Sequence, residues 1–203
     1  MLVLACLLGS IPTALLVGLL VKGTDIRTQG SGNAGATNAA RILGVAAGIL
    51  VAVVDVAKGF AAVTLVSRIA PLPGAAGPAL CGMAAIIGHV FPVFAGFRGG
   101  KGVATAGGAI LGLFPLLAPI CFACFLVVAA LSRRISLASI CGAFALPAAY
   151  SVSWLLGTTP EPWRAGFSVA VFLMVMVTHR ANIGRLLRGE EKPLDFGKRA
   201  PRP

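Results

Sequence analysis

The chain alternates long apolar stretches with short polar breaks, and this alternation restricts its fold more than any single motif does. Apolar segments run at about 1–21, 43–70, 76–97, 103–131, 135–157 and 163–179. A helix that crosses a bilayer needs about 20 apolar residues, so such a chain has room for about six or seven crossings joined by short loops. Only 11% of the residues are charged and 58% are hydrophobic, whereas soluble domains are about 25% charged. A soluble globular enzyme, a disordered chain and a secreted disulfide scaffold are excluded together. Any chemistry has to be built from helix ends and loops.

Charge then orients the segments. Lys and Arg total 17 against 6 Asp and Glu, a net charge of +11. In a soluble protein that balance would point to nucleic acid. Here the enrichment of cytoplasmic loops in Lys and Arg accounts for most of it, and no nucleic-acid partner is expected. Segment 103–131 decides the topology. If it crosses twice, every Lys and Arg except Arg68, Arg164 and the intramembrane Lys58 falls on one side. A single crossing would divide the basic clusters between the two sides. Its 29 residues give only about 43 Å of helix, short for two passes of a core about 30 Å thick. Phe114-Pro115 and Pro119 supply a break near its middle. The expected fold is therefore an all-α integral membrane protein of about seven transmembrane helices, two of them short. Its N-terminus lies outside and its C-terminus in the cytoplasm. One domain covers 1–192, and 193–203 form a basic, Pro-containing tail. No internal repeat is evident.

Two apparent signals are set aside. Leu4-Ala5-Cys6 lacks the basic and apolar stretch of a processing site, so 1–21 is expected to be a retained span. Cys6, Cys81, Cys121, Cys124 and Cys141 lie in apolar runs. The pair Cys121/Cys124 has no second pair and no nearby His, so the cysteines read as reduced packing residues with no metal.

Three loops on the expected cytoplasmic side carry the chemistry. The first reads Gly30-Ser31-Gly32-Asn33-Ala34-Gly35-Ala36-Thr37-Asn38, followed by Arg41. Glycines let backbone N–H groups converge on an anion. Thr37 or Asn38 is expected to cap the next helix and bring its positive end to the same place, where Arg41 can grip phosphate in two-point fashion. The second runs from Gly88-His89 to Arg98-Gly99-Gly100-Lys101-Gly102. Bare backbone donors and one ammonium ahead of a helix follow phosphate-cradling logic. The spacing is not that of a nucleotide-hydrolysing P-loop. The third runs from His179 through Asn182, Arg185, Arg188, Glu190 and Glu191. His179, Asn182 and Arg185 fall on one helix face. Asp55 and Lys58 lie three apart inside the second span, where charges are functional candidates or a self-neutralising pair. Gly44-x-x-x-Gly48 and Gly108-x-x-x-Gly112 suit close helix packing. Several convergent cations, with no carboxylate cluster for a metal and no Ser-His-Asp set, imply a substrate bearing one or two phosphates.

In these three segments, and over essentially the whole chain, the sequence resembles the bacterial acyl-phosphate:glycerol-3-phosphate acyltransferases, the PlsY family. The resemblance implies an inner-membrane enzyme of seven spans with a cytoplasmic site. Such enzymes move a fatty acyl group from acyl phosphate to the 1-hydroxyl of sn-glycerol 3-phosphate, giving lysophosphatidic acid and phosphate without a cofactor. Ser31, Lys101, His179 and Asn182 would then be catalytic. Asn33, Thr37, Asn38, Arg41, His89, Gly99, Gly100, Gly102, Arg185 and Glu190 would bind substrate. The 99–102 loop would cradle acyl phosphate, and Glu190 or Glu191 would brace the tail against a loop cation. The expected partners are the two substrates and membrane lipids, with the chain acting as a monomer. A transporter or flippase for a phosphorylated metabolite or lipid is the alternative. It would show internal repeats and binding groups at mid-bilayer.

Overall fold

The computed structural model describes residues 1–193; the expected tail thus lies outside the described residues, apart from Pro193. Every regular element among those residues is helical. Helices α1 (Leu2–Gly9) and α2 (Thr13–Lys22) form one broken apolar rod, and α3 (Ala36–Leu43) is a short amphipathic helix. Then follow α4 (Val45–Thr64), α5 (Ala76–Val90), α6 (Val103–Leu113), α7 (Ala118–Ser132), α8 (Ile135–Leu155), α9 (Pro162–Thr178) and α10 (Arg180–Leu187).

Four stretches are long and apolar enough to cross a membrane: Leu2–Lys22, Val45–Arg68, Ala76–Ala95 and Ile135–Leu155. A fifth is the pair α9 and α10, bent by 65° at His179. Segment 103–131 divides into the two shorter apolar helices α6 and α7. The division falls at Phe114-Pro115, where α6 ends with a bond from the Phe114 N–H to Ile110 and the chain turns before α7.

Glycines at the crossings set the helix spacing, Gly48 and Gly108 of the small-residue motifs among them, whereas a Cβ on Gly44 would meet nothing within 4 Å. A Cβ on Gly59 of α4 would overlap the Thr105 carbonyl of α6, and one on Gly108 of α6 would overlap the Val56 carbonyl of α4. The same reciprocity joins α1 to α5, with Gly9 against Ala85 and Gly88 against Cys6. Gly48 lets α4 lie on Ala36 and Ala40 of α3. In a bilayer, where lipid is as apolar as the side chains, such backbone approach is a main source of helix association. An apolar core of Ile86, Ala109, Leu113, Phe114, Leu146 and Phe167 fills the centre.

The α1–α2 break is satisfied from within. Pro12 has no N–H and interrupts the helix, freeing carbonyls that find no water at membrane depth. Lys58 reaches across from α4 and donates to the Gly9 carbonyl at 3.1 Å and the Ile11 carbonyl at 2.9 Å. It also pairs with Asp55 at 2.8 Å, while the Thr13 hydroxyl donates to the same Asp55 oxygen at 3.0 Å. Asp55 and Lys58 are thus a buried structural pair that staples the first rod to α4. The α4–α6 crossing yields a checkable contrast. Gly108→Leu is expected to lower the thermal midpoint in detergent by several degrees, overpacking of this kind costing about 1–3 kcal/mol. Gly107→Leu, with nothing within 4 Å of its added Cβ, is expected to leave the midpoint unchanged.

Candidate active site

One end of the bundle opens into a cavity of about 1080 Å³. Its mouth is polar and its floor apolar. The first loop is held over the mouth by Arg27, whose guanidinium pairs with Asp25 at 2.8 Å and donates to the Ala95 carbonyl at 2.7 Å. That bond ties the first loop to the second.

Within the first loop the expected helix cap is not what the structure has. Helix α3 begins at Ala36 with Gly35 as its cap, and neither Thr37 nor Asn38 caps it. Asn38 is buried and turned inward instead. Its amide oxygen accepts from the Ser31 N–H at 2.9 Å, and its amide nitrogen donates to the Ile26 carbonyl at 2.8 Å and the Gln29 carbonyl at 3.2 Å. With both donors and an acceptor engaged, Asn38 shapes the loop that presents Ser31 rather than offering free groups to a ligand. Ser31, Asn33, Thr37 and Arg41 all line the cavity.

The second loop also departs from expectation. The N–H groups of Gly99 and Gly100 are not free to cradle an anion, because they bond the Val90 and His89 carbonyls, each at 3.2 Å. Their lack of side chains has a different use: a Cβ on Gly100 would overlap Nε2 of His89. The free donors lie one turn on. Gly102, at φ 79°, starts α6 in the left-handed region that favours glycine, and Gly102, Val103 and Ala104 line the cavity. The first-turn amides of a helix have no partner within it and carry its positive end. His89 lines the cavity from behind, with Nδ1 3.4 Å from the Lys58 ammonium. That nitrogen also stands 3.7 Å from the Asp55 carboxylate, so His89 joins the buried Asp55–Lys58 pair to the loop carrying Lys101.

Lys101 is the hub. Its ammonium donates to the Asn182 amide oxygen, and the Asn182 amide nitrogen donates to Glu191. Glu191 also accepts from the Ser136 hydroxyl at 2.6 Å and from Arg185 Nε at 2.7 Å. Of the two tail glutamates, Glu191 therefore makes the brace. Glu190 stands exposed, paired only with Arg188 at 2.8 Å, and does not line the cavity. Burial alone would raise the Glu191 carboxyl, but hydrogen bonds from Ser136, Asn182 and Arg185 outweigh it and hold the group below the ordinary carboxylate range. Burial pushes the Lys101 ammonium down to about 8, against the pull of Glu191 and with the repulsion of Arg185. His179 is buried at the α9–α10 bend, its Nδ1 2.9 Å from the Val175 carbonyl. A carbonyl only accepts, so Nδ1 carries the proton and Nε2 keeps a free lone pair.

Ser136 and Ser139 also line the cavity and escaped the sequence reading. The available signal was their place at the start of the helix after Arg133-Arg134. Farther in, Ile110 and Leu111 of α6, Phe122 and Phe125 of α7 and Val171 and Val175 of α9 make the apolar floor.

A bundle of membrane-length apolar helices around such a cavity defines a multi-pass membrane protein with a cation-lined, part-apolar cavity at one end. The sequence model of a family described as glycerol-3-phosphate acyltransferase matches residues 1–189. The glycerol-3-phosphate acyltransferase of Chlorobaculum tepidum is 41% identical, over 97% of this chain and 96% of its own length. That of Chlorobium phaeobacteroides strain BS1 is 43% identical, over 94% and 93%. Crystal structures of PlsY (YgiH), an integral membrane glycerol 3-phosphate acyltransferase, in its glycerol 3-phosphate and lysophosphatidic acid forms superpose with TM-scores of 0.82 and 0.83. Both are 34% identical, over 96% of this chain and 94% of theirs. The chain belongs to the glycerol-3-phosphate acyltransferase family and is of the PlsY type.

The lowered Lys101 value sets a pH limit. The ammonium attracts phosphate only while protonated, so kcat/KM for acyl transfer is expected to fall as pH rises through about 8. Phosphate monoesters are already dianionic there, titrating near about 6. Lys101→Arg keeps its charge and is expected to carry that limb upward by more than a unit in a pH–rate profile.

Proposed function

We propose that this protein transfers a fatty acyl group from acyl phosphate to the 1-hydroxyl of sn-glycerol 3-phosphate, giving lysophosphatidic acid and inorganic phosphate. The observation that carries the reading is the single cavity with a cationic mouth and an apolar floor. The donor has an apolar chain and a phosphate, the acceptor a phosphate and hydroxyls, and one space serves both. The substrate and product forms of the similar PlsY structures favour the same acceptor and product.

Acyl phosphate is a mixed anhydride and is already activated, so positioning and electrostatics suffice. Arg41, Lys101 and Arg185 would hold the two phosphates, helped by the first-turn amides of α6. Ser31 and Asn182 would sit beside the reacting carbonyl, and Asn33 and Thr37 would line the acceptor. The acceptor oxygen attacks the acyl carbonyl carbon, the bond from that carbon to the phosphate oxygen breaks, and phosphate departs. In the favoured form the departing phosphate takes the hydroxyl proton, and His179 Nε2 only orients the hydroxyl. The second form, supported by that free lone pair, gives the proton to His179 itself.

The chain would cross the bacterial inner membrane seven times, with α6 and α7 as the short spans, the N-terminus outside and the C-terminus in the cytoplasm. That layout places the mouth where the water-soluble acceptor is made and follows the distribution of Lys and Arg. The chain would act as a monomer.

Purified protein in lipid is expected to form lysophosphatidic acid from palmitoyl phosphate and glycerol 3-phosphate without added metal, and not from acyl-CoA. Lys101→Ala should abolish the product. Equal or better use of acyl-CoA would refute the donor assignment. His179→Gln separates the two proton routes: turnover within about tenfold of the parent supports the substrate phosphate, and a loss beyond about 100-fold, in the range of general-base catalysis, supports the imidazole.

A further inference from the structure

At the opposite end of the bundle, a second cavity of about 370 Å³ opens where α4, α5, α6 and α9 meet. Helix α6 connects the two, running from Val103 at the mouth to Leu113 at this second cavity. Val63 and Leu113 form part of its wall together with Pro71, Leu72 and Pro78, and both Arg68 and Arg164 line it. These are the two arginines that the charge distribution leaves on the side away from the basic loops.

Among the described residues, neither guanidinium has a carboxylate within salt-bridge distance. The obvious partner is committed elsewhere. Glu161 accepts from the Arg164 backbone N–H at 2.8 Å, capping α9, and from the Ala75 N–H just before α5 at 3.5 Å, rather than pairing with either side chain. The hydroxyls of Thr64 and Ser67 turn back onto the Phe60 and Val63 carbonyls. Arg164 lies over the Phe114 ring, 5.9 Å from its centroid, which holds the guanidinium at the cavity. Two cations thus line one concave site with no anionic partner among the described residues.

The surroundings say which anion. Leu65 and Ile69, each 63% exposed, and Trp163, 46% exposed, flank the site, and exposed apolar and Trp side chains at a helix end mark a membrane interface. The volume suits a headgroup, and the aliphatic and proline wall suits the glycerol and first methylenes of a lipid. Inorganic phosphate would leave that wall uncovered, whereas guanidiniums pair with a phosphate oxygen edge in either case.

We propose that this second cavity is a phospholipid site, in which Arg68 and Arg164 hold the phosphate of an anionic lipid at the end of the bundle away from the acyl-transfer cavity. It is separate from the catalytic reading and stands if that reading fails. The test is native mass spectrometry of delipidated protein titrated with phosphatidylglycerol, alongside thermal unfolding with and without that lipid. The parent protein is expected to retain one lipid at least about tenfold more tightly than Arg68→Gln/Arg164→Gln, and only the parent should gain thermal stability from it. Arg133→Gln/Arg134→Gln, at the other end of the molecule, should behave as the parent does. Should the double variant fold poorly, Arg68→Gln alone, at an exposed position, is expected to show a smaller loss in the same direction. Equal retention by the parent and the Arg68/Arg164 variants overturns the site. Displacement of the lipid by millimolar sodium phosphate overturns the lipid assignment in favour of a free anion.

Discussion

A single ammonium, that of Lys58, connects the architecture to the chemistry. At membrane depth it fills the carbonyls exposed by the Pro12 break, neutralises Asp55 and touches His89. His89 in turn presses against Gly100, next to Lys101. A charge buried this far from water is tolerated only when its partners are complete, and removing one partner of such a pair typically costs about 3–5 kcal/mol. The position of the Lys101 loop therefore depends on a cluster of which Asp55 and His89 reach the cavity wall. The support of the Lys101 loop thus reaches back to the broken first rod, whose Gly9 carbonyl lies 49 residues before Lys58.

The mouth itself is a balance of charges rather than a collection of them. Arg185 and Lys101 would repel one another and crowd a substrate phosphate into an ill-defined position. Glu191 tempers both, binding Arg185 directly and reaching Lys101 through the Asn182 amide. Its own charge is sustained by Ser136 at the start of α8, so α8, α10, the loop before α6 and the chain after α10 must assemble before the cations are spaced. The lack of a carboxylate cluster in the sequence has a physical counterpart here: the two carboxylates lining the cavity are both engaged, Glu191 by three donors and Asp55 by Thr13 and Lys58.

Much of this was legible from the chain alone, because the bilayer makes helix length and charge placement nearly arithmetical. The apolar segments, the division of 103–131 near Phe114-Pro115 and the convergence of the three glycine- and cation-bearing loops follow from spacing. What did not follow depended on chain reversals and on which backbone groups are already occupied. Asn38 looks like a cap but is the third residue of α3, facing its own loop. Gly99 and Gly100 look like a phosphate cradle, yet their amides close the turn after α5. The choice between Glu190 and Glu191 is made beyond the left-handed turn at Gly189, φ 72°, where the helix has ended and the two neighbours meet different partners, Arg188 for Glu190 and Ser136, Asn182 and Arg185 for Glu191. The Asp55–Lys58 pair was visible, but its carbonyl partners on the first rod lie too far off in sequence for any local pattern to reveal them.

The apolar floor changes what concentration means for this protein. A ligand whose hydrocarbon chain lies between α6, α7 and α9 arrives through the membrane, and its availability is a mole fraction among neighbouring lipids. A ligand at the mouth arrives from water and obeys ordinary molarity. Saturation then has two axes of different dimension. Enlarging the bilayer around a fixed amount of acyl donor starves one axis while leaving the other untouched, so membrane growth itself dilutes that ligand.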